Sequence, residues 1–298
     1  MDRIPAIELK NITKTFGSFK ALDDLSMTVP KGAVYGLVGP NGAGKSTAIR
    51  HALGVYRPDS GSVTFDGQSV YENPAVKIRI SSIPDDVFFF PSASLEEMRG
   101  YYKGIYPQFD DQLFERLYEV FQLPKKSPIR RFSKGMQKQA AFHLSICTRP
   151  DMLILDEPVD GLDPVMRRQV WSLLLSDVAQ RETTVLISSH NLRELEDICD
   201  HVGIMDHGKM LLQRSLADMQ GSTVKLQMVG DIPTNLDILH QSQLGRLNTL
   251  VVRGSAEEVE AKVLAENPVY YDILPLSLEE IFIYELGGVN YEVKNIVL

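Results

Sequence analysis

The run Gly39-Pro40-Asn41-Gly42-Ala43-Gly44-Lys45-Ser46-Thr47 has the spacing G-x-x-x-x-G-K-[ST], directly after the apolar Val34–Val38 and before the helical run 45–53. Glycines let the backbone close around phosphate oxygens, and a helix start adds further unpaired N–H groups. In that setting Lys45 is suited to reach the β- and γ-phosphates of a nucleotide, and the Ser46 hydroxyl to bind Mg²⁺. A second run, Asp151-Met152-Leu153-Ile154-Leu155-Asp156-Glu157, is an apolar strand ending in two carboxylates. Ligands of a parallel sheet bind at the carboxyl ends of its strands, which places this pair beside the phosphates. Asp156 is then suited to hold Mg²⁺, directly or through water, and Glu157 to accept a proton from an attacking water.

Elements must exist to hold those residues. Segments 7–12, 34–38, 152–155 and 184–187 are rich in β-branched and apolar residues and alternate with helical patterns, which predicts an α/β fold with a mostly parallel, helix-covered sheet. Between about Pro84 and Arg131 the strands stop. Ser94 and Glu97 form a capping box that opens a largely helical insert. A second helix follows Asp110, with Leu113, Leu117, Val120 and Phe121 at helical spacing and Pro124 closing it. The expected helical subdomain covers about residues 86–150.

The chain has 31 Lys+Arg against 39 Asp+Glu, a net charge of -8, so no nucleic-acid-binding surface is advertised. Residues 222–298 hold 11 acidic and 5 basic residues, -6 of that total. This shift predicts a boundary between a domain over 1–221 and a small acidic α+β domain over 222–298. In the latter, strand-like 223–229 and 247–252 precede helices opened by Ser255/Glu258 and Ser277/Glu280. No apolar run approaches the roughly 20 residues of a bilayer span, and the N-terminus lacks a signal-type apolar block. A cytoplasmic protein is expected. Cys147 and Cys199 are far apart with no metal-ligand spacing, and read as buried thiols.

With Phe132-Ser133-Lys134-Gly135-Met136-Gln137, which is similar to a signature motif, the chain resembles the ATP-binding cassette (ABC) family, the nucleotide-binding subunits of membrane transporters. The resemblance covers about residues 6–220 and implies a P-loop NTPase core that binds and hydrolyses ATP with Mg²⁺. It further implies that Ser133, Gly135 and Gln137 close on the γ-phosphate of ATP held by a second ABC subunit, identical or different, so that two chains sandwich two nucleotides. Ser133 also suits a plain helix N-cap. His190, after Ser188-Ser189, is similar to the family's switch histidine at the γ-phosphate, and Gly161-Leu162-Asp163 to the loop through which subunits communicate. Asp163-Pro164 is equally a good helix start. Phe16 stands where the family places an aromatic ring against adenine, or in the core.

After the strand-like 78–83 the family usually has a glutamine that meets Mg²⁺, whereas Ile83-Pro84-Asp85 offers a carboxylate. A carboxylate is a hard oxygen ligand, so Asp85 joins Ser46 and Asp156 as a metal candidate. The alternatives are an aspartate capping the Pro84 turn, or Asp86 in that role. Ser277-Leu278-Glu279-Glu280-Ile281-Phe282 and the Ser-Lys-Gly-Met form of the signature resemble cassettes of drug, lipid or peptide exporters. The expectation is an exporter's ATPase subunit on the inner face of the membrane, powering a separate membrane-spanning permease. An importer's ATPase and a soluble, non-transport ABC protein are the alternatives. Against the last, only 85 residues separate Thr47 from Ser133 and the chain holds one cassette.

Overall fold

The computed structural model describes residues 4–280 and Tyr284, the side chain of Gln220 excepted. The chain folds as two compact units: one runs to His190 and takes in His201–Gln213, the other comprises Asn191–Asp200 and the chain from Arg214.

In order, the elements to the end of the first unit are β1 (Ile7–Phe16), β2 (Phe19–Val29), β3 (Val34–Val38), α1 (Lys45–Ala52), β4 (Ser60–Phe65), β5 (Gln68–Ser69), α2 (Pro74–Lys77), β6 (Ile80–Ile83), α3 (Leu95–Ile105), α4 (Asp111–Phe121), α5 (Lys134–Cys147), β7 (Met152–Asp156), α6 (Pro164–Arg181) and β8 (Thr184–Ser189), then α7 (Arg193–Glu196) of the second unit, β9 (His201–Asp206) and β10 (Lys209–Ser215). The main sheet has the order β10-β9-β3-β8-β7-β6, and β6, β7, β8, β3 and β9 pair in parallel. β3, β7 and β8 are buried along their whole length, as strands covered on both faces by helices must be, and so they read as continuous apolar runs.

Residues 7–12 do not join that sheet as the sequence pattern suggests. β1 lies in a separate antiparallel sheet of order β2-β1-β4-β5. Gly17 and Ser18 alone connect β1 to β2, with Gly17 at φ 59°. A two-residue link cannot carry a crossover helix, so the second strand must return antiparallel. The half-exposed pattern of β1 also differs from the fully buried parallel strands.

The helical insert consists of α3, α4 and α5. α5 is its core: every residue from Lys138 to Cys147 is buried. Ser94 and Glu97 make the expected capping box on α3, and Asp110 caps α4 through the Leu113 N–H at 2.8 Å. The buried face of α4 is Phe114, Leu117 and Phe121, shifted from the predicted stripe; Val120 is exposed. Phe114 and Phe121 pack on His143 of α5, with ring centroids 4.3 and 5.8 Å away, and stacking on that ring selects the face.

The second unit adds α8 (Leu216–Ser222), β11 (Thr223–Val229), β12 (Asp237–Leu244), β13 (Leu247–Arg253), α9 (Ala256–Ala265) and β14 (Tyr270–Pro275). Its four strands form an antiparallel sheet of order β12-β13-β11-β14. Val224, Leu226, Met228, Leu250, Val252, Val259 and Val263 make its own core. The unit starts at Arg214, ahead of the composition shift at Ser222. It also holds the segment after His190: Arg193 pairs with Glu279 at 2.9 Å, and the Leu278 N–H donates to Glu196 at 3.0 Å. Ser277 and Glu280 cap each other as expected; Ile281 and Phe282 lie outside the described residues.

Candidate functional site

The loop from Gly39 to Gly44 joins the buried end of β3 to α1, and its glycines are there for space. A Cβ on Gly39 would lie 2.2 Å from the Met205 carbonyl, and one on Gly44, at φ 104°, 2.8 Å from that of Ala21. The turn is pinned at its base by Ala43 N–H donating to Pro40 O at 3.1 Å and Gly208 N–H donating to Ala43 O at 2.9 Å. Asn41 and Gly42 stand exposed at its rim. α1 has no side-chain cap and no acidic residue in its first turn, whereas α3, α4, α5 and α6 are capped by Ser94, Asp110, Ser133 and Asp163. The first N–H groups of α1 are thus left for an anion.

Lys45 is 6% exposed, and its ammonium donates to Gly39 O at 2.6 Å within the loop. The same ammonium is 3.5 Å from Glu157 Oε1. Glu157 Oε2 lies 2.9 Å from His190 Nδ1, so the Glu157 carboxylate stands between a lysine from the phosphate loop and a histidine from the end of β8. Asp160 joins Glu157 and His190 in a group of ligand atoms within 4.8 Å of one another. Asp156 is buried and accepts from the Ser188 hydroxyl at 2.5 Å. Ser46, Arg50, Ile83, Asp85, Asp86 and Asp156 line a cavity of about 220 Å³ next to the start of α1. A hydroxyl and three carboxylates in one small cavity are the hard oxygen donors that suit Mg²⁺.

The remaining expected residues fall into two groups. Phe16 is 44% exposed and meets Tyr56 edge-on at 5.5 Å. It is therefore a surface ring rather than part of the core, with the Lys14 ammonium 5.7 Å from its centroid. Tyr56 in turn meets His51 of α1 at 5.8 Å, and burial holds the His51 imidazole below its ordinary value. Ser133 caps α5 by accepting from Met136 N–H at 3.2 Å, Gly135 sits against Gly161, where a Cβ would be 3.1 Å from the carbonyl, and Gln137 donates to Phe132 O at 2.9 Å. These three do not line the cavity formed by Ser46 and Asp156 in the same chain. Asp163 accepts from both Val165 and Met166 N–H at 3.0 Å, which fills its capping role.

Sequence reasoning missed Ser188, Lys138, Asp160 and Tyr56. Ser188 orients Asp156 and also accepts from Glu157 N–H at 3.1 Å; in sequence it was only a residue leading to His190. Lys138 was one charge in a helical pattern. Cys147 and Cys199 are buried free thiols, and burial pushes both thiols up.

A glycine-rich phosphate loop between a central parallel strand and a helix, with acidic strand ends alongside, defines a P-loop nucleotide hydrolase. The ABC transporter family model matches residues 22–160. The ABC transporter ATP-binding protein YtrB of Bacillus subtilis is 33% identical, over 95% of this chain and 98% of its own length. The Nod factor export ATP-binding protein I of Sinorhizobium fredii is 32% identical, over 78% of this chain and 70% of its own. A solved ATP-binding subunit of an ABC transporter superposes with a TM-score of 0.67 at 26% identity, over 72% of this chain and 92% of that one. The chain belongs to the ABC transporter ATP-binding proteins. It is an ATP-hydrolysing subunit of the ABC transporter kind. Among the described residues no helix is long and apolar enough to cross a membrane.

Proposed function

We propose that this subunit powers an exporter from the inner face of the membrane, with Glu157 as the base that takes a proton from the water attacking ATP. The observation that carries the chemical part is the placement of Glu157, 3.5 Å from Lys45 and 2.9 Å from His190. Phosphoryl transfer demands positioning and charge stabilisation more than covalent help. Lys45 and the Gly39–Thr47 backbone hold the β- and γ-phosphates, Phe16 stacks on the adenine, and His190 positions Glu157 and meets the γ-phosphate. Ser46, Asp156 and Asp85 are the residues to hold Mg²⁺, which when bound neutralises charge on the phosphate oxygens. Ser133, Gly135 and Gln137, which do not line that cavity, serve the nucleotide of a second subunit. Residues 222–298 are the acidic part of the second unit.

Export is supported by likeness to a Nod factor export ATP-binding protein. Two exposed aromatics after β6, Phe88 and Phe90, suit docking of the permease. Inside-out vesicles carrying this subunit with its permease test the direction: ATP-driven uptake of substrate is expected, and ATP-driven efflux from such vesicles would reverse the assignment.

A further inference from the structure

Lys138 lies on α5 and is 6% exposed, so its charge is buried. A buried ammonium is strongly unfavourable unless it is paired and hydrogen-bonded. Two groups meet that need. Its Nζ donates to the backbone carbonyl of Glu157 at 2.7 Å and stands 3.5 Å from Asp85 Oδ1. One side chain therefore ties α5 to the loop after β7 and to the loop after β6.

The Glu157 backbone has a reason to need holding. Its φ is 46°, a left-handed conformation that a non-glycine residue keeps only when its surroundings impose it. Pro158 follows, and a residue before proline is pushed toward the extended region. The peptide is gripped at both ends: Glu157 N–H donates to Ser188 Oγ at 3.1 Å and the Glu157 carbonyl accepts from Lys138. Release of the carbonyl lets the backbone relax toward extended geometry. That relaxation carries the carboxylate away from Lys45 and His190.

We propose that Lys138 is a positioning residue for hydrolysis: anchored by Asp85, its ammonium clamps the Glu157 carbonyl and so keeps the Glu157 carboxylate between Lys45 and His190. The proposal rests on Glu157 being the base. The test uses the full chain and measures kcat, KM for ATP, and ATP affinity without turnover for Lys138→Met, Lys138→Gln, Glu157→Gln and the double variants Lys138→Met/Glu157→Gln and Lys138→Gln/Glu157→Gln. Loss of position alone is worth about 10- to 10²-fold, so Lys138→Met is expected to lose that much in kcat while ATP affinity holds. Lys138→Gln, which keeps a donor for the carbonyl, should lose less. Neither double variant should fall below Glu157→Gln. Wild-type kcat in Lys138→Met, equal losses in the Met and Gln variants, or additive loss with Glu157→Gln would overturn the role of Lys138. Should Lys138→Met not fold, the Lys138→Gln pair of measurements decides: a loss absent from the Glu157→Gln background supports the role, and an additive or absent loss removes it. Near-normal turnover in Glu157→Gln would instead overturn the base assignment, and with it the purpose of the clamp.

Discussion

Among the described residues the Glu157 carboxylate meets both a phosphate-loop cation and the histidine that follows β8, which is why the proposed chemistry is assigned to it. Amidation removes its basicity while keeping its shape. Glu157→Gln is therefore expected to bind ATP normally and to lower turnover by roughly 10² to 10⁴, the usual contribution of a general base, as read by ATPase assay beside a nucleotide-binding titration. Asp85 calls for a different experiment. It lines the cavity with Ser46 and Asp156 but is largely exposed and faces the Lys138 ammonium. A carboxylate there adds charge in the cavity of Asp156, so activity is expected to depend more on metal occupancy. In a Mg²⁺ titration of ATPase activity, Asp85→Gln and Asp85→Asn should shift the midpoint and Asp86→Asn should not. Wild-type curves for both Asp85 variants, or a shift confined to Asp86→Asn, would count against Asp85. Much of this site is legible in sequence, since a fixed spacing of glycines and a lysine is itself the geometry of a phosphate loop. Ser188 and Lys138 are not, because each matters through a contact with a residue 32 or 19 positions away, and their own neighbours carry no pattern.

At the scale of elements the insert shows how packing selects among helical faces. The spacing of apolar residues is enough to announce α4, yet the stripe Leu113, Leu117, Val120, Phe121 competes with the observed Phe114, Leu117, Phe121. The ring of His143 on α5, together with Arg99 over the Phe114 ring, favours the second. That histidine is wholly buried. Its Nε2 bonds the Phe114 carbonyl at 2.7 Å while Nδ1 has no partner. Burial pulls its pKa down to about 4. The native state holds the ring neutral, so between about pH 6.5 and 4 the unfolded chain binds a proton that the native chain does not. Stability must then fall as pH drops through that window, by on the order of 3 kcal/mol. His143→Leu should cost about 1 kcal/mol at pH 7, by removing the hydrogen bond to the Phe114 carbonyl, which keeps its place in the α4 ladder, and should lose less than the wild type on moving to pH 4.5. Parallel losses in urea denaturation at the two pH values would dismiss His143 as the source. The aromatic run after β6 divides in the same way. Phe89 is buried at 3% exposure while Phe88 and Phe90 are 73% and 46% exposed, as expected of three adjacent rings that cannot share one core. Phe88→Ser/Phe90→Ser should keep ATP binding and fold but reduce recovery with the permease in membranes. Undiminished recovery would leave the two rings without a docking role.

For the molecule as a whole, the division of labour between the units is the open question. The phosphate loop, Asp85, Asp156, Glu157 and His190 all belong to the first unit. The second has its own sheet and core, and residues 222–298 carry -6 of the net charge. Anionic lipid repels a domain of that charge, so it is expected to sit away from a bilayer surface. It does, however, include Asn191–Asp200, the stretch that immediately follows His190, and secures it through Arg193–Glu279 and the Leu278 N–H to Glu196. A charge count along the sequence shows where the acidic part begins but not that it reaches back for this stretch, because the pairing spans 82 and 86 positions. Removing residues 222–298 frees Arg193 and Glu196 from these partners while leaving the phosphate-loop contacts among the described residues in place. The truncated chain is expected to bind ATP as a monomer with the affinity of the full chain, and to differ in dimerisation or in turnover. Binding titration and analytical ultracentrifugation with and without ATP measure both. A truncation that stays folded but no longer binds ATP would place part of the nucleotide site in the second unit, and one that matches the full chain in binding, dimerisation and turnover would remove any role for it in the ATPase cycle.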